Sequence, residues 1–291
     1  MSALPFFQVD VFGLRALAGN PLAVVLDADG LGAAQMQALA RWTNLSETAF
    51  LLKPSVPEAD YRVRIFTPRA ELPFAGHPSV GAAFVARWSG RVAAQQPRLL
   101  QECGAGLLPL RLETAGGGER LLVRSPQAGV RRLGRSTAGK VNLALGLAED
   151  SPVFHVDVGA RWLVAPALSA RRVLSLRPDL AALKLLSRRL DGIGVNVYGW
   201  QPERSADLLE VRSFAPLDGI EEDPVCGSGN AAVAAVLLRL GELDGNRQYS
   251  VRQGRACGRD GRVHIGVDPA TGSIEIGGAA SPVIEGTIRL P

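Results

Sequence analysis

The chain is poor in the residues that build metal centres, disulfide frameworks and nucleic-acid surfaces. Of its 291 residues only three are cysteine (Cys103, Cys226 and Cys257) and three are histidine. The cysteines are odd in number and form no CxxC pair, and no histidine cluster stands near them. That excludes a disulfide scaffold and a zinc site and points to a reducing compartment. Lysine is nearly absent: Lys53, Lys140 and Lys184 are the only ones, so the net charge of +4 rests on arginine. The arginine pairs 131–132, 171–172 and 188–189 are scattered rather than striped, and the three tyrosines and four tryptophans do not interleave with them. A nucleic-acid surface concentrates both, so none is expected. The N-terminus shows no basic-then-apolar leader, and no apolar run approaches the ~18 residues of a membrane span. A cytoplasmic protein with no membrane partner is the expectation.

What is present is small-residue helix. Glu221-Glu222-Asp223-Pro224-Val225-Cys226-Gly227-Ser228-Gly229-Asn230 is an acidic, glycine-rich turn that runs into Ala231-Ala232-Val233-Ala234-Ala235-Val236-Leu237-Leu238. A helix start carries unpaired N–H groups and the positive end of the helix dipole, so an anion can sit there. The helix behind it has no polar face before Arg239, which predicts burial on all sides.

The first half carries a second version. Gly76-His77-Pro78-Ser79 opens another small-residue helix that runs through Trp88, with Pro78 at a favoured first-turn position. Val63-Arg64-Ile65-Phe66-Thr67-Pro68 shares four of six residues with Val211-Arg212-Ser213-Phe214-Ala215-Pro216, and Phe7-Gln8-Val9-Asp10-Val11 shares four of five with Phe154-His155-Val156-Asp157-Val158. Collinear matches at nearly one offset argue for an internal duplication. Two domains follow, residues 1–125 and 126–280, with the last strand, 281–291, returning to the first.

The remaining pattern is mostly strand. Phe6–Phe12, Leu22–Leu26, a run from Thr48, Tyr61–Phe66, Leu99–Gln101, Leu107–Leu112, Arg120–Arg124, Leu163–Pro166, Ile193–Tyr198 and Leu208–Ser213 alternate or are β-rich, as do stretches near 249–252, 263–267 and 274–276. Helical spacing marks Leu31–Trp42, Thr137–Leu147 and Pro178–Leu190. Pro68–Pro73 and 218–224 read as loops, Ser125–Ser136 as a linker, and Gly116-Gly117-Gly118 and Gly258-Arg259-Asp260-Gly261 as hairpin turns. The class is α+β. A sheet that curls around each apolar helix would give it apolar neighbours all round, and two lobes so built would face each other across a cleft.

Several residues could do chemistry there. Gly76 and Gly227 would present backbone N–H groups to a small carboxylate, or would serve simply as helix caps. Glu47 in Ser46-Glu47-Thr48 stands at a strand entrance and by itself reads as an exposed turn carboxylate. His77 follows the first glycine. Asp223 is either a turn residue or an acid of the site. Cys226 is either a thiol activated by a helix N-terminus or a small buried residue. Ser228 has no base beside it in a nucleophile pattern. Gly227-x-Gly229-x-x-Ala232 fits a dinucleotide fingerprint, but the residues before it read as loop rather than strand, which argues against a nucleotide cofactor.

These residues carry a family resemblance. Phe7-x-Val9-Asp10-Val11-Phe12 with Gly19-Asn20-Pro21, Asn44-Leu45-Ser46-Glu47-Thr48-Ala49-Phe50, Arg64-Ile65-Phe66-Thr67-Pro68, Gly76-His77-Pro78 and Asp223-Pro224-Val225-Cys226-Gly227-Ser228 together resemble the PhzF (phenazine biosynthesis) family across essentially the whole chain. The resemblance implies the diaminopimelate epimerase fold, with two pseudo-symmetric lobes, each a mixed β-barrel wrapped around a central helix. It implies a homodimer and an isomerase that moves a carbon-bound proton on a small carboxylate-bearing metabolite without cofactor or metal. It makes Glu47 the acid/base. His77 and Asp223 become the other polar active-site groups, and Gly76, Gly227 and Ser228 the carboxylate-binding helix starts. Members of the family usually carry threonine where this chain has Cys226. That slot is one of the two acid/base cysteines of diaminopimelate epimerase, and the partner slot here is Ala75. An epimerase or racemase that pairs Cys226 with Glu47, and a non-catalytic small-anion-binding protein, are the alternative readings.

Overall fold

The computed structural model describes residues 2–115, 118–203, 205–243, 245 and 247–290. The chain divides into two compact units, one running to Arg124 and resuming at Gly277, the other from Ser125 to Ile276. Each is an α+β unit with a mixed sheet.

The first unit contains β1 (Ser2–Val11), β2 (Asn20–Val25), α1 (Ala33–Thr43), β3 (Thr48–Leu52), β4 (Tyr61–Phe66), β5 (Glu71–Leu72), α2 (Gly76–Trp88), β6 (Arg98–Cys103), β7 (Gly106–Ala115), β8 (Gly118–Arg124) and a terminal strand, Ala280–Leu290. β1 pairs antiparallel with β2 and with the terminal strand. β2 runs parallel to β3, β3 antiparallel to β4, and β4 antiparallel to β5 and parallel to β6. β6–β7 and β7–β8 are antiparallel. The last pair closes at Ala115 opposite Gly118; Gly116 and Gly117 of the expected turn lie outside the described residues. Asp10 holds the β1–β2 turn by accepting the backbone N–H groups of Ala18 and Gly19 at 3.1 and 2.7 Å.

α2 is buried along nearly its whole length, from Gly76 to Ala86 except Phe84. It touches β1, β2, β3, β4, β6, β8 and the terminal strand. The fit is tight at Gly81, where a methyl group would run into Leu22 and Val11. α1 is the ordinary amphipathic case. Met36, Leu39 and Ala40 are its buried residues, and they join a cluster with Leu4, Val25, Phe50 and Phe66. It starts two residues later than its apolar spacing suggests, because Leu31 closes a 3-10 turn and Gly32 takes the cap.

The second unit contains β9 (Gly129–Arg132), α3 (Arg135–Leu145), β10 (Phe154–Asp157), β11 (Arg161–Pro166), α4 (Ala170–Ser175), α5 (Leu180–Arg189), β12 (Gly194–Trp200), β13 (Leu209–Ala215), β14 (Ile220–Asp223), α6 (Gly227–Leu240), β15 (Gln248–Gln253), β16 (Gly261–Asp268) and β17 (Ser273–Gly278). β10 pairs antiparallel with β9 and β11. β11 runs parallel to β12, β12 antiparallel to β13, and β13 antiparallel to β14 and parallel to β15. β15 is antiparallel to β16. The order of ladders is the one found in the first unit. α6 touches β9, β10, β11, β12 and β16, and every residue from Gly229 to Leu237 is buried. α3, α4 and α5 pack with Leu163, Ala165, Val195 and Val197.

An arginine strap also occurs in both units. Arg64 makes two 2.7 Å bonds to Glu71 and lies over the Phe66 ring; Arg212 makes bonds of 2.8 and 2.9 Å to Glu222 and lies over Phe214. The second strap is the more buried one, and Arg212 reaches on to the carbonyls of Val173 and Leu176. Such bidentate pairs fix geometry as well as adding attraction.

Four segments differ from the sequence reading. The linker Ser125–Ser136 contains β9, and its N–H and C=O groups pair with β10 although its composition favours neither strand nor helix. Residues 218–224 are not all loop, since β14 forms there against β13. That strand is antiparallel, so the βαβ setting of a dinucleotide fingerprint is still missing. Pro68–Pro73 includes the two-residue β5, which its hydrogen bonds to β4 create. The Asp260-Gly261 turn is instead a longer connection with a 3-10 turn at Arg255–Cys257, and β15 and β16 first pair at Gln253 and Gly261.

Candidate functional site

In the first unit the structure brings together Glu47, Gly76 and His77. Glu47 directly precedes β3, just after Asn44 ends α1 in the left-handed region. Its neighbours are tied down: Ser46 Oγ donates to Asn20 at 3.3 Å, and the hydroxyls of Thr48 and Thr43 are 3.0 Å apart. The Glu47 side chain is 18% exposed and that of His77 5%, with Oε2 of the first 3.1 Å from Nδ1 of the second. The contact is close but not aligned as a hydrogen bond. Glu47 Oε2 and His77 Nε2 are both buried without a hydrogen-bond partner. Buried polar atoms are almost always satisfied, so two unsatisfied ones on adjacent groups set this pair apart. Gly76 and His77 open α2, and no side chain caps that turn. Its first N–H groups have no partner within the helix.

The α2 start is braced from below. Ser79 Oγ donates to the Ala75 carbonyl at 2.8 Å, Gln101 donates to Ser79 Oγ at 3.0 Å, and Tyr61 donates to Gln101 at 3.1 Å. Burial pushes the Tyr61 hydroxyl well above its ordinary pKa, which keeps it a donor at every physiological pH.

In the second unit the structure brings together Asp223, Cys226, Gly227 and Ser228. Asp223 ends β14 and accepts the Val225 N–H at 3.1 Å. Cys226 caps α6, its Sγ accepting from Gly229 at 3.3 Å. Of the two readings of Cys226, the structure supports the small buried residue rather than a thiol lowered by the helix dipole. Burial, and then the neighbouring Asp223 carboxylate, push this thiol well above its usual range, against the smaller pull of the Gly229 N–H. Desolvation outweighs the helix start because the sulfur is buried rather than open to water. Ser228 stays partly exposed, and the Trp162 indole donates to its Oγ at 3.1 Å.

Gln253, fully buried on β15, organises this turn. Its oxygen accepts from Cys226 N at 3.2 Å and Asn230 Nδ2 at 2.7 Å, while its nitrogen donates to Ser213 Oγ and to the Asp223 carbonyl, both at 3.1 Å. Asn230 also donates to the Cys226 carbonyl at 2.8 Å. All four hydrogen-bonding positions of the amide are filled. Gly229 has to be glycine, because a methyl group there would collide with Asn196 Oδ1 and Ser213 Oγ.

Sequence reasoning missed Gln101, Gln253, Ser79, Asn230 and Trp162. A signal was present. Each glutamine lies at the same sequence distance from its glycine turn, to within one residue, and Ser79 and Asn230 are each the fourth residue of their helix. A hollow beside α3, lined by Arg135, Ser136, Lys140, Glu149 and Asp150, includes none of the candidate residues. Among the described residues no group of three His, Cys, Asp or Glu side chains could hold a metal ion, and no helix is long and apolar enough to cross a membrane.

The chain matches the family model of the phenazine biosynthesis-like proteins over residues 9–286. "Antisense-enhancing sequence 1" of Schizosaccharomyces pombe is 36% identical over 98% of this chain and 99% of its own length. Trans-2,3-dihydro-3-hydroxyanthranilate isomerase of Pseudomonas aeruginosa is 31% identical, with the same coverage of 98% and 99%. Among solved structures, a PhzF-family phenazine biosynthesis protein of Bacillus anthracis superposes with a TM-score of 0.88 at 25% identity, covering 100% of both chains.

Proposed function

Since the chain belongs to the phenazine biosynthesis-like (PhzF) family and is an isomerase, we propose that it moves a carbon-bound proton on a small carboxylate-bearing substrate with Glu47 as general acid and base. The observation that carries this reading is the buried, unsatisfied Glu47 oxygen beside His77 at an uncapped helix start. As base, Glu47 takes a proton from a substrate carbon and, as acid, returns it to another; a positioned group of this kind contributes about 10²–10⁴-fold. His77 lies within reach of the same oxygen and has its other nitrogen free to orient the substrate or relay the proton. N–H groups at a helix start bind the substrate carboxylate: Gly76 is the candidate in the first unit, and Gly227–Ser228, with Asp223 as a further polar group, is the candidate in the second. No cofactor or metal enters the proposed reaction.

The same reading makes the two units copies of one ancestral element, each a sheet wrapped around one apolar helix. Support comes from their matching ladder order, their matching arginine straps and their two braced helix starts. It places the enzyme in the cytoplasm as a homodimer acting on a free metabolite, with which three unpaired cysteines agree. The racemase alternative needs Cys226 both to give and to take a proton; burial pushes its thiol pKa up, which suits giving a proton and opposes taking one near neutrality.

The test is proton exchange. The protein is incubated in heavy water with a panel of amino and aromatic carboxylic acids that includes trans-2,3-dihydro-3-hydroxyanthranilate, the compound for which the Pseudomonas relative is named. Wild-type protein should place deuterium at carbon in at least one of them. Glu47→Gln should abolish that exchange and leave binding within about threefold. Exchange retained by the variant refutes the role of Glu47, and binding without exchange by the wild type indicates a small-anion-binding protein instead.

A further inference from the structure

Trp162 lies on β11 with its side chain 2% exposed, and its indole N–H donates to Ser228 Oγ at 3.1 Å. An indole nitrogen can only donate, so Ser228 is the acceptor in this bond whichever way its own proton points. A serine hydroxyl has one proton and two lone pairs. With one lone pair taken by a rigid, buried donor, the O–H is turned away from the indole. The other side-chain hydrogen bond of Ser228 is a long one, 3.7 Å to Cys226 Sγ, in which either atom can donate, and that sulfur also accepts the Gly229 N–H at 3.3 Å. Sulfur is a weak acceptor and this one is occupied. The Ser228 proton therefore has its best use on an acceptor from outside, beside the open N–H groups of the first turn of α6.

The second residue of α2 has the opposite arrangement. His77 is approached by a carboxylate, Glu47, instead of by a donor. One helix start thus has its polar side chain beside an acceptor that can take a proton. The other has its polar side chain held by a donor that cannot.

We propose that Trp162 is a positioning residue that fixes the Ser228 hydroxyl as a hydrogen-bond donor to the substrate carboxylate at the α6 start. This rests on the reading in which Ser228 binds that carboxylate.

The test uses a double-mutant cycle on the intact protein. Affinities for 2-aminobenzoate and its neutral match 2-aminobenzamide are measured by calorimetry for wild type, Trp162→Phe, Ser228→Ala and the double variant. The wild type should prefer the carboxylate by at least about tenfold, as expected for charge-assisted bonds. Trp162→Phe should weaken carboxylate binding by about fivefold, the size of one lost hydrogen bond. It should leave amide binding unchanged and have no further effect in the Ser228→Ala background. Equal losses in both backgrounds overturn the role of Trp162 and leave the anion site standing. A wild type that does not distinguish the two ligands overturns the anion reading itself, before any variant is made. A second measurement needs neither ligand nor a tryptophan variant at this position. The Trp162 indole N–H, assigned by elimination with phenylalanine variants of the other three tryptophans, should exchange slowly with solvent and exchange at least about tenfold faster in Ser228→Ala. An indole N–H indifferent to Ser228→Ala removes the bond on which the proposal stands.

Discussion

Glu47 Oε2 and His77 Nδ1 lie 3.1 Å apart, and the far nitrogen of the same imidazole, Nε2, is buried with nothing to bond. The carboxylate therefore faces a group that can share a proton, and that group has a second atom still to be used. His77→Asn should keep the helix start but remove the imidazole. Deuterium uptake into the responding acid should fall by about 10²-fold. Uptake left unchanged in His77→Asn, measured by mass spectrometry of the recovered acid, would remove His77 from the reaction.

The Gln253 side chain satisfies four buried partners, whereas Gln101 joins Tyr61 to Ser79. Replacing Gln253 by leucine strands Cys226 N, Asn230, Ser213 and the Asp223 carbonyl in a buried place. Each stranded group costs about 1–3 kcal/mol before relaxation. The expected outcome in urea denaturation is a loss of about 3 kcal/mol or more for Gln253→Leu and a smaller one for Gln101→Leu. The reverse order would show that the α6 turn does not depend on this amide.

The Cys226 thiol should be inert near neutrality. Burial raises its pKa, and burial likewise carries the Cys257 thiol up to about 11. Only the thiolate attacks alkylating agents. With iodoacetamide at pH 7.5 the exposed Cys257 should label slowly and Cys226 not at all, and labelling of Cys257 should accelerate as the pH climbs past 9 towards its raised pKa. Peptide mapping that finds Cys226 modified first at pH 7.5 would reinstate it as a nucleophile or base.

Acid should weaken the β15–β16 connection through Asp260. Desolvation pushes this carboxyl up, but hydrogen bonds from Arg252 at 2.6 Å and Arg262 at 2.8 Å outweigh it and leave the pKa at about 2. The folded value lies below the unfolded one, so the stabilisation is present above about pH 4 and is lost as the pH falls towards 2. Stability curves of wild type and Asp260→Asn should be separated at pH 5 and converge near pH 2. A separation that does not shrink on acidification contradicts the assignment.

The parts of the fold that could be read from the sequence are those set by their own residues. Tyr61–Phe66 alternates and is β4 to the residue. The two helices without a polar face are the two most completely buried. The position of Glu47 at a strand entrance was equally legible, whereas its closeness to His77 was not, because that depends on how β3 and α2 pack. The strands β9 and β14 escaped because a ladder partner, β10 or β13, supplies what their composition lacks. Gln101, Gln253 and Trp162 escaped for a related reason: a polar residue in an apolar strand has no pattern of its own, and its meaning comes from the atom it reaches. For Cys226 the sequence left two readings open, and burial, which is not visible in sequence, decides for the small buried residue.

The pairing of β1 with Ala280–Leu290 sets an order of events on the ribosome. The strand made first waits, with one edge open, until residues from the far end have emerged, while everything from Ser125 to Ile276 is already available to fold. The late-completed half is the one that carries Glu47 and His77. A chain stalled or cleaved ahead of residue 280 would therefore hold a finished second unit and an exposed, association-prone β1 edge, and the cell would meet it as a substrate for chaperones rather than as an enzyme with reduced activity.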